Sequence, residues 1–318
     1  MAHMVGGETR LTYGEAITKN DQHYMNLVKD LSWLNSRGME HTDREGHVVG
    51  YYVDITIVMD SDVPFSFWGA PNTWKMRNAF RKWHFARLEM FRNAGVTKSE
   101  MGKYGQTVRP FLNQGQVNYA NLAAPVEQET LVPVNCTDAA REWTYSDVAT
   151  SPGWQTTETG SGGLSLVDAF KLTICGENKT EDTASGGTTL KFSTAGMIHS
   201  YNIDRMEVVT PSGAEVIIGE NNPLAALRSQ TITAGEVTGI AGDQEQEATP
   251  YDLLDAGDSI DEIALDVLNT NTATLQVQRI YNVFVPAGIL AIVNGFGGTV
   301  TPTIFIDVKG SVLCKDVA

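Results

Sequence analysis

The sequence predicts a mainly β protein, two β-sandwiches side by side with one long helix inserted in the first half. Three observations carry that expectation. Short stretches rich in β-branched and aromatic residues recur along most of the chain, separated by loops of Gly, Thr, Ser and Asn. Only residues 72–93 hold a helical repeat over several turns. No alternation of strands with helices suggests a parallel βα sheet.

Taken in order, residues 7–46 are polar and contain one helical candidate over 20–37. Tyr24, Leu27, Val28, Leu31 and Leu34 recur every three or four residues, Asn20 or Asp21 is placed to cap the start, and Gly38 to end it. Residues 48–59 (VVGYYVDITIVM) read as a strand and 63–67 as another, joined by Asp60, Ser61 and Asp62. Pro71 opens the inserted helix, with Asn72 as N-cap and Gly95 as the stop. On a helical wheel Met76, Ala79, Phe80, Trp83, Ala86, Met90 and Phe91 form one apolar arc interrupted by Arg87, whereas Trp74, Phe85 and Leu88 point elsewhere.

Further on, strands are expected at 130–134, 164–174, 188–193, 197–209 and 214–219, with long surface loops at 149–163 and 176–187. Residues 223–227 allow only a helical turn. The tail is the clearest β region, with strands at 260–268, 272–284, 288–293 and 301–308. Strand count alone divides the chain into an N-terminal arm with a short helix (1–46), a first sandwich carrying helix 72–94 (47–180) and a second sandwich (181–318).

Composition narrows the function. With 42% hydrophobic residues the 318-residue chain can form sizeable cores without metals or disulfides. No apolar run approaches the roughly 18–20 residues that span a bilayer, and the start lacks the basic-then-apolar order of a signal peptide. Cys136, Cys175 and Cys314 lie far apart and read as reduced thiols. The net charge is −15, but residues 1–110 hold 14 Lys/Arg against 12 Asp/Glu while 111–318 hold 9 against 26. That asymmetry suggests one face of an assembly meeting something anionic.

Enzymatic signatures are missing. There is no Gly-x-Ser-x-Gly elbow, phosphate-binding loop or dinucleotide fingerprint, so no enzyme activity and no cofactor are expected. His41 and His47 flank Asp43 and Glu45, a set able to coordinate zinc, yet no His-x-x-x-His spacing supports it and a solvated acidic loop is the simpler reading. The acidic run Asp252, Asp255, Asp258, Asp261 and Glu262 does not follow the calcium-loop order; a loosely held cation is its only binding alternative. Trp143, Tyr145 and Trp154, followed by the acid-rich second half, would suit a carbohydrate-binding β-sandwich or a glycoside hydrolase, marked by both tryptophans in one exposed groove.

The remaining candidates are the six cations of the inserted helix, Lys75, Arg77, Arg81, Lys82, Arg87 and Arg92, out of 23 in the chain. Such side chains meet phosphate in nucleic acid or lipid headgroups, or else lay their stems over neighbours and pair with acidic loops of this or an adjacent subunit. Arg87, inside the apolar arc, implies a partner.

The helix at 20–37, the strand block 48–59, the inserted helix 72–93 and the tail 280–293 (IYNVFVPAGILAIV) together resemble the major capsid proteins of tailless icosahedral bacteriophages with an internal membrane, the double jelly-roll family. The resemblance is architectural, covers the chain from about residue 20 onward, and implies two side-by-side jelly rolls. It also implies homotrimeric capsomers in an icosahedral lattice, contacts with other capsid proteins, and peripheral contact with the internal viral membrane. It implies a virion location after synthesis in the host cytoplasm and no sequence-specific nucleic acid binding. Under it Arg10, Lys19 and the helix from Lys75 to Arg92 lie toward the base, and loops 146–163 and 235–258 toward the outer top.

Overall fold

Residues 49–59 alternate between buried and half-buried, with Tyr51, Val53, Ile55, Ile57 and Met59 on one face. That two-residue period is what a strand with one face on a core requires. The computed structural model describes residues 7–18, 21–59, 63–97, 263–269, 276–295 and 298–317. Between 100 and 201 it describes 100–102, 107–113, 116–118, 126–127, 129–136, 143, 145–146, 157–159, 163–165, 167–173, 191–198 and 201.

The chain runs through β1 (Arg10–Tyr13), β2 (Gln22–Asn26), α1 (Leu27–Asn35), β3 (Val49–Met59), β4 (Pro64–Gly69) and α2 (Trp74–Asn93). Six short strands follow: β5 (Val117–Asn118), β6 (Val126–Glu127), β7 (Thr157–Thr159), β8 (Gly163–Ser165), β9 (Val167–Thr173) and β10 (Lys191–Gly196). The last four are β11 (Ile263–Asn269), β12 (Gln276–Pro286), β13 (Ile289–Asn294) and β14 (Thr303–Leu313).

Two four-stranded antiparallel sheets form, in the orders β1-β14-β3-β12 and β11-β4-β13-β2. Taken as eight strands, the first pairs with the last, the second with the seventh, the third with the sixth and the fourth with the fifth. Each pair thus nests inside the next, and everything from 70 to 262 is inserted between the fourth and fifth of these strands.

The pairing corrects two expectations. Residues 1–46 are not an arm: they supply β1, β2 and α1, with Leu11, Tyr13, Met25 and Leu27 fully buried in the main core. A boundary at 180/181 would put β3 and β4 in a different sandwich from β11–β14, yet these strands share both sheets. Strand count registers how many strands there are; it carries no information on which distant ones pair.

The main core lies between the sheets, where Val53, Ile55 and Ile57 of β3 and Ile304 and Ile306 of β14 join the same cluster as Phe65 and Phe67 of β4 and Leu290 and Ile292 of β13. The opposite face of β13, Ile289 and Ala291, belongs to a second core with Met76, Ala79 and Phe80 of α2 and with Val108, Leu112, Met197 and Ile198. The order of layers is therefore sheet, sheet, helix. The outer face of the first sheet is polar: Arg10 grips Asp307 with two bonds of 2.7 and 2.9 Å, and Lys309 reaches Asp54 at 2.8 Å.

The expected helix at 20–37 begins late. Tyr24 fits a helical repeat, but Gln22–Asn26 pairs with β13, and the helix starts only where Asn26 accepts a bond from the Lys29 amide at 3.1 Å. Ser36, in a left-handed conformation (φ 48°), ends α1 ahead of Gly38. Residues 130–134 form no strand, only a bridge between Thr130 and Tyr24. Residues 197–198 and 201 are helical, not extended. Expectations for 202–262 lie outside the described residues.

Two features pin the turn between β12 and β13. Ala287 and Gly288 both have positive φ (56° and 67°), the left-handed backbone of a tight turn closed by the Gly288 amide on the Val285 carbonyl, and a Cβ on Gly288 would lie 2.7 Å from Val28 and 2.9 Å from Tyr51. The Ala287 carbonyl accepts the Nδ1–H of fully buried His41. Burial pushes the His41 ring down to about 3; the Ala287 bond opposes that shift and nearby Arg109 reinforces it.

Two outcomes follow from this turn. Gly288→Val combines left-handed strain with a steric clash and should cost about 3 kcal/mol in urea unfolding. His41 gains a proton in the unfolded chain near pH 6.5 but in the folded one only near 3, so its contribution is complete above 6.5 and falls away as pH drops toward 3. At pH 5 this one group should remove about 2 kcal/mol relative to pH 7. In urea titrations at both pH values, His41→Gln should shrink the pH dependence by that amount.

Candidate functional site

The inserted helix is fastened at its start. Thr73 Oγ1 accepts from the Met76 amide at 3.2 Å, so Thr73 caps α2 instead of Asn72. Asn72 has other work: its Nδ2 donates to the Cys314 carbonyl at 3.2 Å, tying the helix to the short turn Cys314–Asp316 that follows β14. At the far end Gly95 stops the helix as the sequence leads one to expect, its amide bonded to the Arg92 carbonyl at 3.0 Å.

The six cations do not act as one patch. Lys75 is buried, its ammonium 5.9 Å from the Trp74 ring centroid, and Lys82 sits 5.4 Å from that of Trp83. Arg87 donates to the Thr107 carbonyl at 2.8 Å and to Ser146 Oγ at 2.7 Å. The partner implied by its place in the apolar arc is thus a polar loop. Arg92 is exposed, 3.7 Å from Glu89.

Arg77 and Arg81, one helical turn apart, face a different neighbourhood. They line a cleft of about 110 Å³ with Asn78, His47, Val48 and Lys315. Arg77 Nη1 donates to Asn72 Oδ1 at 3.2 Å and reaches the Cys314 carbonyl at 3.5 Å. The Arg81 guanidinium flanks the exposed Phe85 ring at 5.8 Å.

The opposite wall is the turn 43–47. Asp43 Oδ1 accepts the Glu45 and His47 amides, each at 2.8 Å, and Oδ2 meets His47 Nδ1 at 2.9 Å. Burial works to raise the Asp43 carboxyl, but the bonds from His47 and Glu45 outweigh it and hold the group below its ordinary value. With Nδ1–H engaged by Asp43, His47 Nε2 is left as an acceptor, and Lys315 Nζ stands 3.4 Å from it. Gly46 (φ 81°) closes the turn against α2, where a Cβ would lie 2.6 Å from His84.

The set able to coordinate zinc comes together only in part. Asp43, Glu45 and His47 bring ligand atoms within 4.8 Å of one another, but His41 is buried elsewhere on Ala287. A dication on His47 would also stand beside Lys315, Arg77 and Arg81, so the surroundings favour an anion. The Asp252–Glu262 run lies outside the described residues.

Trp143 and Tyr145 are engaged internally: Trp143 packs edge-on to His41 with ring centroids 5.7 Å apart and lies 4.2 Å from the Arg109 guanidinium, while Tyr145 is buried on Phe111. Trp154 is outside the described residues. Cys136 and Cys314 are free thiols; burial pushes Cys314 up to about 12, keeping it protonated.

Sequence reasoning found Arg77 and Arg81 but missed His47 as a cleft residue and Lys315 altogether. His47 and Lys315 are 268 positions apart and meet only because β14 pairs with β3. No local pattern signals that meeting.

Comparison with known proteins adds no family: no protein-family model matches the chain, and no curated protein or solved structure is detectably similar to it.

The division of the cations is testable. Arg87→Ala leaves buried acceptors without their donor and should cost about 2 kcal/mol in thermal or urea unfolding. Arg92→Ala should leave unfolding unchanged.

Proposed function

We propose that this chain is a shell-forming subunit, a major capsid protein of the kind found in icosahedral bacteriophages. The observation that carries the reading is the nested antiparallel pairing of eight strands in two four-stranded sheets, an order that matches jelly-roll connectivity, with residues 70–262 inserted at one connection. Such a sandwich would serve as a repeating tile, and one connection is free to carry the parts that differ between assemblies. On the double jelly-roll reading, the second sandwich is built from that insertion and not from the last third of the chain.

Exposed apolar residues support association. Val277 and Tyr281, 53% and 65% exposed, lie on β12 at the edge of the first sheet. Phe85 is 54% exposed on α2. An edge strand with apolar side chains invites pairing with another chain unless something covers it. Repeated contacts between identical chains are what a closed shell requires.

The sugar-binding alternative called for Trp143 and Trp154 together in one exposed groove; Trp143 packs on His41 and Arg109, and Trp154 lies outside the described residues. No specific observation favours that reading.

Sedimentation velocity with negative-stain microscopy, at rising concentrations of the purified chain, tests assembly. Trimers or closed shells are expected, and Tyr281→Lys together with Val277→Lys should shift the distribution toward monomer. A wild-type chain that stays monomeric at every concentration would contradict the proposal.

A further inference from the structure

We propose that the cleft between the start of α2 and the turn after β14 is a phosphate-binding site, holding inorganic phosphate or the phosphate of a monoester between Arg77, Arg81 and Lys315. This goes beyond the assembly reading and does not depend on it. Its footing is the geometry of one concavity.

Charge comes first. Among the described residues, Arg77, Arg81 and Lys315 make no ion pair with a carboxylate, although the chain carries 38 Asp and Glu against 23 Lys and Arg. Three basic side chains around one hollow repel one another, and a dianion among them turns that repulsion into attraction.

Shape and positioning agree with the charge. A space of about 110 Å³ far exceeds the ~10–15 Å³ that admits a single water, so it takes a group of several heavy atoms. Guanidinium forks match the paired oxygens of phosphate, and Arg77 is held in place by Asn72 and the Cys314 carbonyl through Nη1 alone, leaving its other N–H donors for a ligand. Lys315 is aimed by a chain of contacts. Asp43 orients the His47 ring, and His47 Nε2 accepts from the ammonium. Asn78 gives its Nδ2 to the Tyr201 hydroxyl at 3.2 Å, which turns its amide plane into a fixed part of the lining.

The test uses the full-length chain in a low-salt buffer free of phosphate, titrated calorimetrically with inorganic phosphate and, separately, glycerol 3-phosphate, with chloride at equal ionic strength as the blank. Saturable binding is expected for both, with little response to chloride. Arg81→Glu and Lys315→Glu change side chains at the open side of the cleft, and each should weaken binding at least ten-fold. Arg92→Glu, at the other end of α2, should bind like wild type. Circular dichroism and melting curves of the variants establish that the fold is kept.

Co-flotation with phosphatidate-containing vesicles, against phosphatidylcholine alone, separates the sources. Flotation lost in the Arg81 and Lys315 variants assigns the phosphate to a lipid headgroup, and soluble binding without flotation assigns it to a free phosphate or small ester. Absence of both, or binding that survives Arg81→Glu and Lys315→Glu unchanged, would overturn the proposal.

Discussion

The antiparallel pairing of β3 with β14 on one side and β12 on the other is the constraint on which the rest of this protein depends. β3 comes from the first fifth of the chain, and both of its neighbours come from the last. Once β3 is seated, its inward residues Tyr51, Val53, Ile55, Ile57 and Met59 fix the register, because a slip of one residue would turn Asp54 and Thr56 into the core. The same seating brings β14 close enough for β1 to add at the edge, and the turn at Ala287 and Gly288 carries the chain across to β13 in the second sheet.

The insertion has a modest energetic consequence. Closing a loop the length of residues 70–262 costs about 5 kcal/mol by the logarithmic law, and doubling its length would add only about 0.6 kcal/mol. Phe65 and Phe67 of β4, buried in a shared core as that strand pairs with β11, are of a size to offset it, since each buried aromatic contributes on the order of 2–3 kcal/mol. The insertion is also tied down where it begins. α2 lays Met76, Ala79 and Phe80 on the outer face of the second sheet, and Asn72 and Arg77 bond the Cys314 carbonyl just after β14. The cationic cleft is a by-product of that fastening: the helix start, the turn 43–47 and the end of the chain converge there.

What was legible in the sequence was local. Alternation in residues 48–59 and in the tail located β3, β4 and β11–β14 to within a few residues, and the apolar arc of α2 identified Met76, Ala79 and Phe80 as its buried face. Propensity failed where tertiary pairing overrode it, as at Tyr24, which fits a helix but pairs with Ala291 in a strand. It also failed at the helix cap, where Asn72 and Thr73 are both suitable residues and only the position of the Cys314 carbonyl decides between them. Half of the cleft was legible, since Arg77 and Arg81 are a helical turn apart. Its other half, His47 and Lys315, depends on a strand pairing that spans the chain.

The measurement that bears most directly on this account is native-state amide hydrogen exchange, because strands in one cooperative sandwich open together. The amides of 49–59 and 65–69 should open at the same free energy as those of 263–269, 276–285 and 303–313 and respond together to low urea. Exchange in which 49–69 opens independently of 263–313 would contradict a single sandwich built from both ends of the chain.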